Sequence, residues 1–189
     1  KVDPGIWRSS DGTWIIPTSS SNYTSHIFAN WGVPGDVPIA ADFDGDSKAD
    51  IGFYRNGLWG VLKSSQNNAA QFFSWGGSGL APIVADFDGD EKADLAYVFP
   101  SAGISQAYAI LKSTTAYDFN QAIFVAGGSV GDTAVVTDYD GDEKADPGTW
   151  RSSSGVWSIL KSTTNYASYL FSQWGQAGDI AMPNKTNQY

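Results

Sequence analysis

Three ten-residue blocks, "ADFDGDSKAD" (41–50), "ADFDGDEKAD" (85–94) and "TDYDGDEKAD" (137–146), each set four aspartates at relative positions 1, 3, 5 and 9. These 12 aspartates, with Glu91 and Glu143, put 14 of the 20 acidic residues in the three blocks, at a range where like charges repel. A hard cation among them would offset that repulsion. Carboxylates at positions 1, 3, 5 and 9, with a backbone carbonyl at 7, build the oxygen shell that Ca²⁺ takes; Mg²⁺ demands a tighter octahedron and keeps its waters. The first site would use Asp42, Asp44, Asp46, the Lys48 carbonyl and Asp50. The second would use Asp86, Asp88, Asp90, the Lys92 carbonyl and Asp94, and the third Asp138, Asp140, Asp142, the Lys144 carbonyl and Asp146. The plainer alternative is a solvated acidic turn in each block, and the threefold recurrence of one spacing weighs against it. The expectation is about three calcium ions.

The elements that position these loops are short. Runs such as "IGFYR", "QFFSW" and "YLFSQW" alternate apolar and polar residues between Gly, Ser, Asn and Pro, which is the pattern of strands joined by tight turns. No 3.6-residue periodicity is sustained, so the expected fold is all-β. Aligning the loops also aligns "ADIGFYRNGLWGVLKSS" (49–65), "ADPGTWRSSSGVWSILKST" (145–163) and "VDPGIWRSSDGTWIIPTS" (2–19), with a longer copy at 93–114. Each unit closes on an aromatic-glycine element such as "NWGVPGD" (30–36). Four such units imply a β-propeller of four blades, each of about four antiparallel strands.

The expected domain is a single propeller over 1–184, with a tail at 185–189. Its units are 1–41 plus 178–184, 42–85, 86–137 and 138–177. "GDIAMPN" (178–184) aligns with "GDVPIAA" (35–41), so the two ends of the chain are expected to share one blade. A charge pattern agrees: Asp36 precedes Arg55 by 19 residues and Asp132 precedes Arg151 by 19, while the third unit has Leu80 and Phe99 instead. Joint loss of both charges is what an ion pair removed from water requires. By the same register Asp179 would pair with Arg8.

Composition excludes several classes. The formal net charge of −9 lacks the basic patch that nucleic acid needs. No apolar run approaches the ~20 residues of a membrane span. Cysteine is absent, so disulfides and thiolate metal sites are too. "KVDPGIW" carries no hydrophobic leader, so a secreted protein would stand here in its mature form.

"DFDGDSKADIGFYR" and its relatives, with the "WG" elements, resemble the FG-GAP/VCBS-type repeats of bacterial extracellular proteins and integrin heads, over essentially the whole chain. The resemblance implies calcium-bearing propeller blades, extracellular or on the cell surface, in adhesins, toxins and polysaccharide-acting proteins. Two departures stand out. Loop position 6, often Gly in the family, is Ser47, Glu91 or Glu143, and the first unit keeps only Asp3 of the motif.

Calcium in such loops fastens the fold, so function must lie elsewhere on the surface. Sugars stack on Trp and Tyr faces, and 27 of 189 residues are aromatic. Trp7, Tyr54 and Trp150 form one repeated series, and Trp14, Trp59, Tyr108 and Trp157 another; these seven are the candidate ligand-binding residues. The competing reading makes them core, wedged between blades. No catalytic constellation assembles: both glutamates lie in the loops, and there is one histidine, His26. The expected function is a non-catalytic, calcium-stabilised binding module for carbohydrate, either a lectin or the targeting appendage of a larger secreted enzyme. A protein-interaction or adhesion scaffold is the alternative. A polysaccharide lyase using Tyr23, His26 and an arginine ranks behind both.

Overall fold

A strand of five or six residues spans one sheet and then needs a turn, and the chain supplies turn residues at that interval. The computed structural model describes residues 3–182, which form fifteen strands and no α-helix. The first blade has β1 (Ile6–Arg8), β2 (Thr13–Pro17) and β3 (His26–Asn30). The second has β4 (Val37–Ala41), β5 (Asp50–Arg55), β6 (Leu58–Lys63) and β7 (Ala69–Ser74). The third has β8 (Pro82–Ala85), β9 (Asp94–Pro100), β10 (Ser105–Leu111) and β11 (Ile123–Ser129). The fourth has β12 (Thr133–Thr137), β13 (Asp146–Arg151), β14 (Val156–Leu160) and β15 (Tyr169–Gln173). Every sheet is antiparallel with its strands in chain order. The fold is all-β, of the β-propeller class with four blades. It divides into two compact units, Lys1–Gly79 and Leu80–Tyr189, each holding two blades.

One expectation changes. Blade boundaries drawn at the aspartate loops cut through sheets, because each loop joins the first two strands of one sheet: Ala41 pairs with Asp50, Ala85 with Asp94 and Thr137 with Asp146. A blade therefore begins one strand before its loop. The first blade, moreover, has three strands among the described residues, and residues 178–182 carry no strand. Positions 183–184 and the tail 185–189 lie outside the described residues. Arg8 meets Asp11 at 3.6 Å, because a tight turn returns the chain to it through the Gly12 N–H bond to the Arg8 carbonyl.

The repeated tryptophans explain how a blade is locked. Trp14 donates its indole N–H to the Trp31 carbonyl (3.1 Å), Trp59 to that of Trp75 (2.8 Å) and Trp157 to that of Trp174 (3.2 Å). The N–H groups of Trp31, Trp75 and Trp174 in turn reach the carbonyls of the hairpin glycines Gly12, Gly57 and Gly155. A side chain on Gly155, whose φ is +68°, would lie 2.4 Å from the Gly175 carbonyl oxygen, so the hairpin glycine and the aromatic-glycine turn fit only together. In the third blade Tyr108 takes the central place and donates instead to the Gly148 carbonyl of the fourth. Within the first unit Trp31 crosses to the second blade, donating to the Gly60 carbonyl at 3.0 Å.

The candidate sugar-stacking residues are therefore core. Trp14, Tyr54, Trp59, Tyr108, Trp150 and Trp157 are all buried and Trp7 is half-buried. Large rings fixed by repeat position fill the space within and between blades, where their apolar area is removed from water. Burial takes them away from a sugar face. Exposed instead is a series the alignment did not single out: Phe28, Phe72, Phe124 and Phe171, one at the same place in the last strand of every blade.

The two internal ion pairs form as the 19-residue spacing requires. Arg55 Nε and Nη2 bind Asp36 at 2.5 and 2.7 Å, and Arg151 Nε and Nη2 bind Asp132, both at 2.9 Å. The guanidinium bonds hold Asp36 below the ordinary carboxylate range. Asp132 is held down by Arg151 against the opposing effect of its own burial. Where Phe99 replaces the arginine, it packs edge-on against Tyr97 and Phe124.

Candidate metal centres

Each aspartate loop is built from the same backbone contacts. The position-1 carboxylate folds the loop over itself: Asp42 accepts the N–H groups of Gly45 (2.6 Å) and Ser47 (2.7 Å). Asp86 does the same with Gly89 and Glu91, and Asp138 with Gly141 and Glu143. This turn needs a left-handed residue at position 6, and Ser47, Glu91 and Glu143 adopt φ of 63°, 65° and 69°. The departure from glycine thus leaves the left-handed backbone in place, at a steric cost of about 1–2 kcal/mol per residue.

The position-9 carboxylates are the anchors. Asp50, Asp94 and Asp146 are fully buried. One oxygen of each accepts an N–H from position 2 of its own loop: Phe43 at 2.9 Å, Phe87 at 2.8 Å and Tyr139 at 2.7 Å. The other oxygen accepts the N–H of Ser64 (2.6 Å), Ser113 (2.6 Å) or Ser162 (2.7 Å). Burial raises all three acids, Asp94 to about 7, where the neighbouring Asp88 charge adds to the effect. Burial also pushes the Tyr139 phenol up to about 12.

Those serines open short 3-10 turns that clasp the loops, a contribution missed from sequence. Ser64, Ser113 and Ser162 donate hydroxyls to the position-5 acids Asp46, Asp90 and Asp142. Ser65, Thr114 and Thr163 donate to the position-3 acids Asp44, Asp88 and Asp140. The signal was in plain view, since "KSS" or "KST" follows the third strand in all three loop-bearing repeats. The first blade keeps one fragment of this arrangement, Ser19 N–H to Asp3 at 2.8 Å.

The arrangement converges three carboxylates in each loop. Asp42, Asp44 and Asp50 form the first group, Asp86, Asp88 and Asp90 the second, and Asp138, Asp140 and Asp146 the third; in each, the candidate ligand oxygens lie within 4.8 Å of one another. Asp46, Asp94 and Asp142 fall outside these groups. Lys48, Lys92 and Lys144 donate their backbone N–H groups to Asp46, Asp90 and Asp142. Fit to a cation rests on a further observation: Oδ1 of Asp44 and Oδ1 of Asp88 are shut off from solvent with no hydrogen-bond partner among the described residues. A buried carboxylate oxygen without a donor is costly, and a cation at that point removes the cost.

In the second unit the two loops also touch. The Ala145 N–H donates to the Asp86 carbonyl at 2.7 Å, and the Tyr166 hydroxyl to the Phe87 carbonyl at 3.2 Å. Comparison with known proteins finds no family model, curated protein or solved structure that matches this chain.

Proposed function

We propose that the chain is a non-catalytic binding module stabilised by calcium, working outside the cell, where millimolar Ca²⁺ fills sites of ordinary affinity. The observation that carries this reading is the threefold loop, with three convergent carboxylates in each copy and an oxygen of Asp44 and of Asp88 that no group among the described residues satisfies. The position-1, -3 and -9 acids would hold the ion in the first and third loops, and the position-1, -3 and -5 acids in the second. The ion would supply charge compensation and cross-link each loop.

Four carboxylates outside the loops have structural partners. Asp36 and Asp132 bind arginines, Asp118 caps a 3-10 turn through the Asn120 N–H, and Asp11 holds Thr13 and Arg8.

For the ligand, the seven aromatic residues first considered belong to the core. A carbohydrate reading now rests on Tyr169 and Phe171, two exposed rings that stack at 5.4 Å and 20° on the last strand, with a phenol hydroxyl beside them. A protein-interaction scaffold is the second reading, favoured by the exposed phenylalanines Phe28, Phe72, Phe124 and Phe171, which bring apolar area but no polar handle. A glycan array with the wild type and Tyr169→Ala separates the two. Saccharide binding lost in the variant supports the carbohydrate reading, and a blank array leaves the scaffold.

The calcium reading is tested by scanning calorimetry with and without chelator. Each ion that binds only the folded state adds about 2.7 kcal/mol at a hundredfold excess over Kd. Chelation should lower the melting temperature strongly, and Asp88→Ala should remove one of three bound ions. An unchanged melt would refute it.

A further inference from the structure

Within the second unit, one aspartate loop holds the backbone of the next. The loops at 85–94 and 137–146 open the third and fourth blades, and Asp86 serves both. Its carboxylate closes its own loop through the Gly89 and Glu91 N–H groups, and its backbone carbonyl accepts the Ala145 N–H at 2.7 Å. Ala145 is buried and immediately precedes Asp146, the position-9 anchor of the other loop. The carbonyl of a candidate ligand in one loop thus fixes the backbone beside a candidate ligand in the other.

Three further contacts reinforce this link. Phe87 and Ala145 share one buried cluster with Ala96, Tyr108 and Ile110. The Lys144 side chain lies along Gly89, where a Cβ would sit 3.0 Å from Lys144 Cε and 3.3 Å from its Cγ. Tyr166 spans the two loops. It follows the 3-10 turn Ser162–Thr164, whose hydroxyls clasp Asp142 and Asp140, and its own hydroxyl donates to the Phe87 carbonyl at 3.2 Å. Burial raises its phenol, and the charges of Asp94, Asp146, Asp142 and Asp88 raise it further, so it stays a donor with acids of both loops around it.

Two effects of opposite sign act between such loops. A cation in one loop reduces the negative charge that draws a cation to the other, which weakens the second binding. That effect is screened over about 8 Å at physiological ionic strength. Ordering works the other way. Backbone fixed at Asp86 and Phe87 when one loop fills does not have to be ordered again when the other does. Hydrogen bonds and buried packing carry that ordering, and salt does not screen them.

We propose that the loops at 85–94 and 137–146 take up calcium cooperatively, with the Asp86–Ala145 and Phe87–Tyr166 hydrogen bonds passing order from each loop to the other. This rests on the calcium reading above and adds regulation to it. The pair of sites responds to the ion over a narrower range of concentration than two independent loops would.

Calcium titration of the full chain at about 0.15 M salt, followed by NMR, tests this. The Gly89 and Gly141 amides report the two loops, since each donates to the position-1 acid of its own loop. Asp140→Ala should raise the calcium midpoint at Gly89 by about tenfold, and Asp88→Ala should raise that at Gly141 by the same factor, because coupling is reciprocal. Tyr166→Phe keeps every carboxylate, and should raise both midpoints while both loops still fill. Midpoints that stay put or fall when the other site is removed overturn the coupling and leave the calcium reading standing. So does a Tyr166→Phe shift confined to Gly141, which marks a role in that loop alone. Glycine amides that do not respond to calcium at all overturn the calcium reading, and the coupling with it.

Discussion

Asp94 shows most plainly what one residue contributes. It is buried, it ties loop to turn through two backbone N–H groups, and its acid is raised from 3.8 to about 7 by that burial. A carboxyl raised in the folded state stabilises it fully below the unfolded value, and that stability is lost as pH rises through the folded value. Metal-free protein should therefore lose stability as pH climbs from about 4 to 7. Asp50 and Asp146, raised in the same direction, act with it, whereas Asp36 and Asp132, held low, stabilise only above the ordinary carboxylate range. Chelator-treated samples melted across pH 4 to 8 check this; a melting temperature that rises steadily with pH over that window contradicts it. A second residue-scale prediction concerns position 6. Glu143 holds φ of 69° without being glycine, so Glu143→Gly should raise stability by about 0.5–1 kcal/mol in urea denaturation. A loss of that size would show that the Glu143 side chain is needed where it stands.

At the scale of the element, the Asp36–Arg55 pair fixes the turn before β4 to the end of β5. Arg55→Ala leaves a buried carboxylate without its partner and should cost about 2–3 kcal/mol, less than a fully buried pair because Arg55 keeps 39% of its side chain in water. The third blade has already replaced both charges, with Leu80 and Phe99. The double variant Asp36→Leu/Arg55→Phe should thus recover more than half of the loss, read by the same denaturation. If the double variant is no better than the single one, the pair does not act as a unit. These pairs were legible in the sequence because both partners vanish together at a fixed spacing. The serine clasps were equally regular yet passed unread, because a hydroxyl carries no charge pattern to flag it. The tryptophans left two readings open, ligand face and core: repetition shows that a ring is required, and only burial shows that Trp59 donates inward to the Trp75 carbonyl. Strand partners were misjudged for a related reason, since the period of a repeat does not mark where a sheet begins.

Across the whole molecule, the dominant quantity is charge. A formal −9 with 14 carboxylates in three loops, 12 of them aspartates, opposes folding, and hydroxyls and N–H groups from the 3-10 turns satisfy only part of it. Three divalent ions would bring the formal charge to −3 and could add an amount comparable to a domain's entire net stability of about 5–15 kcal/mol. Each unit would gain separately, the first from the loop at Asp42–Asp50 and the second from the two loops that touch through Ala145 and Asp86. The most direct measurement is a count of bound calcium per chain, by equilibrium dialysis of chelator-stripped protein at neutral pH. Three loops with convergent carboxylates predict close to three ions per chain, and a count of zero would contradict the assignment of these loops as metal centres.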